Sequence, residues 1–356
     1  MKDLKDVRKI LIVNLGGIGD CLLSMPALRG LKKHYPEAHM AFLGVPRVCG
    51  LVKTFELFDE VIPFEIYDEK IRKFHPGSLI KSLKLLLFLR KRRFDMAVNM
   101  RTIVSRMSAV KMALLFYFIG ARYRVGRDTA GRGFFLNIKV RETALGEKHE
   151  TEYDLDTVAA LGATITDKSI SLVINKPEME SVRKRLFEAG VKDEEPLIGI
   201  HVGGMPSKRW PIDYFAKMIN MVDEKLHCPF VITGGSNEKE LFNRLKEKCR
   251  ARLVDMINKA TLKEWFVLIS RCSLFISNDT GAMHVAAVLH IPLVAIFGGG
   301  YLRRYDPRAI SDNAVVLYKD VSCAPCDRVN CRSMRCLREI MPKDAAEAAL
   351  ALFKKG

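Results

Sequence analysis

The sequence has no long apolar run and no secretion signal. No stretch approaches the roughly 18 consecutive apolar residues that a membrane-spanning helix needs. The first nine residues are rich in charge and lead directly into an apolar run, whereas a signal peptide has its own apolar core there. We therefore expect a cytoplasmic protein that does not cross a membrane.

Two further absences argue against particular ligands. The turn after the first apolar run contains Gly17 and Gly19, but Leu22 stands where a dinucleotide fingerprint has its third glycine. No clear acidic residue ends the second predicted strand, so a nicotinamide cofactor is disfavoured. The usual nucleic-acid-binding modules are missing, and aromatic residues do not interleave with the basic ones as in a base-stacking surface. We expect no nucleic-acid partner.

Positive charge is abundant. The 58 Lys and Arg outnumber the 41 Asp and Glu, which gives a formal net charge of +17. Such a balance suggests a polyanionic partner: nucleic acid, an anionic membrane or a phosphorylated substrate. Residues 81–132 hold thirteen Lys and Arg against Asp95 and Asp128, beside apolar helical stretches. Contact with anionic lipid would explain this segment, and so would ordinary solvated helix faces over a normal core.

At 356 residues the chain exceeds the usual size of one hydrophobic core, which predicts two domains. Strand-like runs alternate with helical patterns in both halves, and this alternation indicates α/β domains with parallel sheets. We predict the junction near Lys176, which gives domains 1–175 and 176–356. The predicted strands lie at 9–15, 39–43, 60–63, 94–99, 171–174, 197–202, 230–233, 273–277 and 293–297.

One strand–turn–helix stretch, residues 273–289, is a candidate anion site. A helix start directs backbone N–H groups and the positive end of the helix dipole at one point, and such points bind phosphate. Asn278 and Asp279 are N-cap candidates, Gly281 allows close approach to the backbone, and His284 follows in the first turn. A plain helix cap is the alternative.

Asp20 presents the same choice in the first half of the chain. It stands at a helix start directly after a strand, where a carboxylate is stabilised in its charged form. Asp20 is therefore either a helix cap or a reactive carboxylate at the edge where α/β sheets carry their chemistry.

Four sequence blocks occur in a set order along the chain. They are Ile18-Gly19-Asp20 with Met25-Pro26-Ala27-Leu28, His201-Val202-Gly203-Gly204 with Lys208-Arg209-Trp210-Pro211, Thr233-Gly234-Gly235-Ser236-Asn237-Glu238, and Asp279-Thr280-Gly281-Ala282-Met283-His284 with residues 291–298. In these blocks the chain resembles glycosyltransferase family 9, the ADP-heptose:lipopolysaccharide heptosyltransferases.

This resemblance implies a GT-B fold, in which two Rossmann-like domains face each other across a cleft. Residues 1–175 would bind the acceptor, and residues 176–356 the nucleotide sugar. The implied activity is inverting, metal-independent transfer of a heptose from ADP-heptose to the lipopolysaccharide core. The acceptor would be an anionic glycolipid, reached by peripheral contact with the inner face of the inner membrane. Alternatives are a related transferase with another sugar or acceptor, and a basic nucleic-acid- or anion-binding protein without catalysis.

The resemblance also implies roles for single residues. Asp20 matches the proposed catalytic base of the family, on the turn that contains Gly17 and Gly19. An inverting displacement needs such a base on the acceptor hydroxyl and charge stabilisation on the leaving diphosphate. The residues expected to bind the donor are Gly203, Gly204, Lys208, Glu238, Asp279, Thr280, Gly281 and His284.

The expected donor contacts differ in kind. Lys208 supplies positive charge, and the backbone N–H groups of Thr280 and Gly281 supply hydrogen bonds to the diphosphate. Glu238 matches the residue that holds the ribose hydroxyls, and Asp279 matches one that lies near the donor sugar.

Three donor-site residues have distinct expectations. His284, one turn into its helix, would add a hydrogen bond to a phosphate oxygen. Gly203 and Gly204 stand where characterised heptosyltransferases carry hydroxyl side chains, so only backbone N–H groups could serve there. This departure leaves the donor sugar and the acceptor open.

A cysteine cluster near the C-terminus is a separate candidate site. One C-x-x-C pair with two further thiols could form a tetrahedral zinc site or hold an iron–sulfur cluster. Free thiols or a disulfide are the alternatives. Catalysis itself is expected to need no cofactor. The cluster consists of Cys323, Cys326, Cys331 and Cys336.

Overall fold

The structure is a computed structural model that describes residues 4, 6–64, 76–326 and 328–354. The chain divides into two compact units, Met1–Ile170 and Ser171–Gly356. Within the described residues, each unit builds one six-stranded sheet, and every strand pair in both sheets is parallel. The α/β architecture predicted from the sequence is therefore confirmed.

The sheet of the first unit has the strand order β3-β2-β1-β4-β5-β6. Its central strand is continuously apolar because both faces of the sheet are covered, and residues 10–13 are fully buried. The strands are β1 Lys9–Asn14, β2 His39–Gly44, β3 Glu60–Pro63, β4 Met96–Asn99, β5 Tyr123–Thr129 and β6 Ile138–Glu142.

The helices of the first unit begin and end at local signals. The fifth helix follows Ser105, whose hydroxyl accepts a hydrogen bond from the N–H of Ser108 at 3.1 Å, and it ends at Gly120, whose φ is 75°. Pro26 lies at the start of a second helix, so the helical pattern predicted after β1 is two helices. The helices are α1 Ile18–Leu23, α2 Met25–His34, α3 Pro46–Lys53, α4 Pro76–Arg92, α5 Arg106–Ile119 and α6 Glu150–Ala159.

The sheet of the second unit has the strand order β12-β11-β10-β7-β8-β9. Its strands β7 and β10 are neighbours at the centre, so the loops that follow them lie side by side at one edge. The strands are β7 Ile198–His201, β8 Phe230–Gly234, β9 Leu253–Ile257, β10 Leu274–Asn278, β11 Leu293–Phe297 and β12 Ala314–Tyr318.

Eight α-helices of the second unit are described. One of them starts with a reciprocal cap, in which Glu264 accepts the N–H of Thr261 at 2.7 Å and donates its own N–H to the Thr261 hydroxyl at 3.3 Å. The helices are α7 Lys176–Glu188, α8 Ile212–Leu226, α9 Lys239–Lys248, α10 Leu262–Ser270, α11 Gly281–Val288, α12 Leu302–Tyr305, α13 Arg335–Arg338 and α14 Pro342–Phe353.

The strand predictions differ from the structure in five places. Residues 171–174 form no strand, because a short apolar run becomes a strand only where a neighbour pairs with it. Four strands were not predicted, namely β5, β6, β9 and β12, and residues 293–297 are therefore not the last strand. In β9 the polar Asp255 interrupts the apolar pattern.

Candidate active site

Asp20 lies close to the carboxyl end of β1. It belongs to the first turn of α1, and its Oδ2 accepts a hydrogen bond from the N–H of Gly17 at 2.7 Å. Asp20 thus caps its own helix, as the structural alternative anticipated. Its other oxygen, Oδ1, binds a second partner, and the side chain is 17 % exposed.

The glycines of this turn differ in how closely they pack against Asp20. A Cβ on Gly16 would lie 2.6 Å from the Oδ2 of Asp20, whereas a Cβ on Gly17 would approach that oxygen no closer than 3.7 Å. Gly19 is buried within α1. The position at which only glycine fits is therefore Gly16, a residue that the sequence analysis did not include in the site.

A positive charge reaches Asp20 from the loop after β4. The Nη1 of Arg101 pairs with Asp20 Oδ1 and lies 3.5 Å from the Oε1 of Glu150, the first residue of α6. Glu150 is buried, whereas Arg101 and Asp20 are partly exposed. From the sequence, Arg101 is predicted only as one of many basic residues, because 81 positions separate it from Asp20 and no motif joins them.

Behind Arg101 lies a buried ion cluster. Arg127 on β5 pairs with Glu150 at 3.0 Å and with Asp154, and all three side chains are almost fully buried. Burial raises the pKa of Asp154 to about 7, although the Arg127 guanidinium opposes this. Including Asp20, the cluster has three carboxyl groups and two guanidinium groups.

In the second unit, Lys208 and Asp279 form a nearly buried ion pair. Lys208 ends the short 3₁₀ turn Pro206–Lys208, and Asp279 directly follows β10. The Nζ of Lys208 lies 2.7 Å from the Oδ2 of Asp279, and the side chains are 12 % and 6 % exposed. A Cβ on Gly300 would lie 3.0 Å from that oxygen and 3.2 Å from Nζ, so the Gly300 backbone packs directly against the pair. Both charged residues were predicted to belong to the site, but neither their pairing nor the part played by Gly300 was.

The start of α11 corrects one prediction. Asn278 and Asp279 are not its N-caps; Thr280 is, and Gly281 is the first helical residue. Thr280 has an extended backbone and makes no side-chain cap hydrogen bond, so its hydroxyl does not occupy the first N–H groups of the helix. Donors at a helix start are what an anion requires.

The side chain of Asn278 does not cap the helix but hydrogen-bonds to a neighbouring loop. It is the buried last residue of β10, and its amide donates to the carbonyl oxygens of Val202 and Gly203 at 3.1 and 3.0 Å. Its Oδ1 accepts the N–H of Trp210 at 3.0 Å. An amide can donate and accept at once, so Asn278 fixes the loop that carries Lys208 to the end of β10 from both sides.

Gly203 and Gly204 allow close approach between neighbouring loops. A Cβ on Gly203 would lie 3.1 Å from the Cγ of Glu238, and a Cβ on Gly204 would lie 2.8 Å from the Cγ2 of Thr280. Gly204 also has a φ of 124°, which side chains disfavour. Glu238 accepts the N–H of Gly235 at 2.9 Å and so caps its own turn. The predicted donor residues from the ends of β7, β8 and β10 therefore do come together, with glycine at each point of contact.

Of the two histidines near these loops, His284 is buried and His201 is half-buried. Burial lowers the pKa of His201 to about 4, and its Nδ1 lies 3.1 Å from the hydroxyl oxygen of Thr233. His201 is therefore neutral near pH 7. His284 is 4 % exposed, and its ring centroid lies 6.2 Å from that of Tyr305. A phosphate contact by His284 stays a prediction.

The four C-terminal cysteines line one small cavity. Its volume of about 20 Å³ would hold one ion or water, and Lys208 and Gly300 line it too. All nine cysteines of the chain are free thiols. Within residues 4, 6–64, 76–326 and 328–354, however, no three or more His, Cys, Asp or Glu side chains are arranged to hold a metal ion. The cysteines that line the cavity are Cys323, Cys326, Cys331 and Cys336.

Comparison with known sequences identifies a family for this arrangement. A family model described as glycosyltransferase family 9 (heptosyltransferase) matches residues 82–336, more than half of the chain. The chain is also 25 % identical over 348 residues to lipooligosaccharide heptosyltransferase 2 of Campylobacter jejuni. That match covers 95 % of this chain and 96 % of the relative.

Solved structures share the fold. The ADP-heptose LPS heptosyltransferase II of E. coli matches with a TM-score of 0.72 at 23 % identity, over 98 % of this chain and 99 % of that one. The iron-containing dodecameric glycosyltransferase TibC of enterotoxigenic E. coli matches with a TM-score of 0.58 at 12 % identity, over 98 % and 77 %. At these identities the likeness shows the fold alone, and it confirms the predicted GT-B fold class.

Proposed function

This chain belongs to glycosyltransferase family 9, and we propose that it transfers a heptose from ADP-heptose to the core of a lipopolysaccharide. The observation that carries the proposal is the junction of loops after β7, β8 and β10, where the Lys208–Asp279 pair meets the start of α11. A diphosphate suits this junction because it needs both a cation and N–H donors.

On the donor side, Lys208 binds the diphosphate and stabilises the negative charge that ADP gains as it leaves. Its ion pair with Asp279 holds the ammonium group in place through one carboxylate oxygen, Oδ2. The other oxygen, Oδ1, can accept a hydrogen bond from a hydroxyl of the donor sugar. The N–H groups of Thr280 and Gly281 point to the same phosphate, and Glu238 takes the ribose hydroxyls.

On the acceptor side, Asp20 acts as the base. It takes the proton of the acceptor hydroxyl while that oxygen forms a bond to the anomeric carbon of the heptose. The bond from this carbon to the diphosphate oxygen breaks, and its electron pair leaves with ADP, so the configuration inverts in one step. Arg101 and the N–H of Gly17 each hold one carboxylate oxygen and thereby position Asp20.

The proposal includes a location. A lipopolysaccharide precursor is anchored in a bilayer, and the net charge of +17 favours an anionic acceptor and an anionic surface. We place the protein in the cytoplasm, as a peripheral protein on the inner face of the inner membrane.

Metal independence is also part of the proposal. Four thiols around one cavity have the right chemistry for zinc or iron, but the described residues do not have the arrangement of a metal site. TibC is described as iron-containing, yet its likeness to this chain extends to the fold alone. We propose that the transfer itself needs no metal and that any bound metal has a structural role at the cysteines. Elemental analysis of protein purified without chelator tests this role, and absence of zinc and iron would end it.

The function is tested with the purified full chain, ADP-heptose, and lipopolysaccharide whose core lacks heptose. We expect mass spectrometry to show one added heptosyl residue per acceptor, with release of ADP. Transfer from a different nucleotide sugar alone would favour a related transferase. Binding of ADP-heptose without turnover would favour an anion-binding protein without catalysis, and either result would overturn the proposal.

A further inference from the structure

The fifth helix is apolar on its exposed side as well as its buried side. Ala109, Ala113 and Phe116 face the core. The opposite side carries four apolar side chains at spacings of three, four and three residues, which places them on one face. This apolar stripe of α5 consists of Met107 (65 % exposed), Val110 (48 %), Leu114 (67 %) and Tyr117 (53 %).

The neighbouring helix α4 repeats the pattern. Ile80, Leu83 and Leu87 follow the same spacing and are 59 %, 54 % and 46 % exposed. The Nη1 of Arg90 donates to the carbonyl oxygen of Phe118 at 3.0 Å, which fixes the end of α4 to the end of α5. Two adjoining helices of the first unit therefore each present an apolar stripe to solvent, whereas a surface helix normally presents a polar one.

Unpaired positive charge surrounds these stripes. Among the described residues, six exposed Lys and Arg of this region form no ion pair with an acidic side chain. Because no described acidic side chain supplies a counter-charge for them, an external anion can. The six are Lys81, Lys84, Lys91, Arg93, Arg106 and Lys111.

Two aromatic rings at the edge of the stripes carry guanidinium groups. Arg92 lies 4.9 Å from the ring centroid of Phe88, and Arg124 lies 4.9 Å from that of Tyr117. A ring that enters the acyl boundary beside a guanidinium that stays at the phosphates is an arrangement typical of membrane interfaces.

We propose that the outer faces of α4 and α5 form a docking surface for an anionic lipid bilayer. The combination of apolar stripes with many lysines favours lipid over a protein partner, because lysine is depleted at the centres of protein interfaces. The surface lies on the bilayer without crossing it: among the described residues, no helix is both long and apolar enough to span a membrane. This inference rests on the proposed membrane location and specifies the surface that achieves it.

The docking surface begins beside the proposed base. Helix α5 directly follows the loop that carries Arg101, the ion-pair partner of Asp20. Val104 and Met107, at that end of the helix, are 58 % and 65 % exposed. A bilayer in contact with these residues would hold the head group of a glycolipid close to the edge of the sheet where Asp20 lies.

The test measures binding of the full chain to vesicles in the absence of donor and acceptor. One vesicle is phosphatidylcholine alone, and the other contains about one third phosphatidylglycerol. The stripe variant replaces Met107, Val110 and Leu114 with Gln. The matched control replaces Val173, Met179 and Phe187 of the second unit, which are 56 %, 50 % and 71 % exposed, with Gln.

We expect the wild type and the control to bind the anionic vesicles at least about tenfold more tightly than the neutral ones, and to release them at high salt. The stripe variant should lose about tenfold or more in affinity. Equal binding by a folded stripe variant, or no wild-type binding to either vesicle, would overturn the proposal. A wild-type dimer that the stripe substitutions dissociate, without vesicle binding, would assign the surface to self-association instead.

Transfer assays separate this inference from the proposed function. With detergent-dispersed acceptor the stripe variant should transfer as fast as wild type, and with acceptor in anionic vesicles it should be slower. An equal loss in both assays would place the stripe in catalysis and overturn the docking role. Vesicle binding by a wild-type protein that transfers no sugar would reject the function and keep the surface.

Discussion

In the first unit, the polar groups at the site edge of the sheet are charged side chains that neutralise one another. Arg127, Glu150 and Asp154 are almost fully buried, and Arg101 links them to the partly exposed Asp20. In the second unit, the equivalent edge consists mainly of backbone: adjacent glycines and the start of α11, together with two ion pairs.

This difference teaches what each edge can do. A charge held by buried partners is fixed in position, and removal of one partner is expensive, about 3–5 kcal/mol for a buried pair. Backbone donors have no protonation state to lose and remain available to an anion at every pH. The first edge is therefore suited to orient a base, and the second is suited to bind a diphosphate.

The largest expected effect comes from the one residue of the first edge that we assign to proton transfer. Asp20→Asn keeps the shape and the cap acceptor but cannot take a proton, so kcat should fall by about 10²–10⁴. Affinity for ADP, which the second unit would bind, should stay unchanged. Steady-state kinetics and calorimetric titration with ADP measure the two quantities. A folded variant with substantial transfer would remove Asp20 from the mechanism.

In the second unit, Lys208→Ala should mainly weaken donor binding. A charge-assisted hydrogen bond contributes about 1.5–3 kcal/mol, so affinity for ADP-heptose should fall by roughly 10- to 100-fold. Lys184→Ala is the matched control, because Lys184 is an exposed lysine of the same unit with only an exposed partner, Glu188. Equal affinity of the two variants would exclude a phosphate contact by Lys208.

The second edge could largely be predicted from the sequence. Short motifs announce backbone-built sites, because glycines and cap residues must stand at fixed offsets within one turn. The resemblance to the motifs of the family therefore pointed to Lys208, Glu238 and Thr280, and the structure does bring the loops that carry them together. Gly300 was missed because its close approach depends on the path of a distant loop.

The first edge could be predicted only in part. Asp20 stands in a motif, but the partners that hold it lie far along the chain, and Arg101 looks like any residue of a basic segment. At the second edge, Asn278 was wrongly predicted to be a helix cap for a similar reason. Its amide donates to a loop some 75 residues away in sequence, and a local pattern cannot predict that contact. A side-chain network depends on the tertiary fold and cannot be predicted from local sequence, whereas a glycine turn is specified by its own residues.

A change of pH should affect the two edges in opposite directions. Asp154 has a folded-state pKa of about 7, above its ordinary 3.8, so the stability it contributes at low pH is lost as pH rises towards 7 and beyond. His201 has a folded-state pKa of about 4, below its ordinary 6.5, so the stability it contributes is lost as pH falls from 6.5 towards 4.

Variants that replace each group with a side chain that does not titrate reveal the sign of its contribution to the pH dependence of stability. The free energy of unfolding of Asp154→Asn should fall further below that of wild type at pH 5 than at pH 8. The difference between the two pH values should be about 2 kcal/mol. His201→Gln should show the reverse trend: its loss of unfolding free energy relative to wild type should be about 2 kcal/mol smaller at pH 5 than at pH 8. Denaturant unfolding at both pH values, followed by probes in each unit, measures the differences. The same trend in both variants would contradict the comparison.

The smallest expected effect concerns Arg101, which we assign to positioning. Arg101→Gln leaves the Asp20 carboxylate with the N–H of Gly17 as its one remaining partner among the described residues, so kcat should fall about tenfold, or 1.4 kcal/mol, while affinity for ADP stays the same. Arg101→Lys should recover part of the loss, because lysine keeps the charge but lacks the rigid fork of guanidinium. If Arg101 served only to stabilise the fold, both variants would unfold at lower temperature and their folded fraction would keep the wild-type kcat. A kcat that falls without a change in the melting temperature therefore separates orientation of the base from support of the fold.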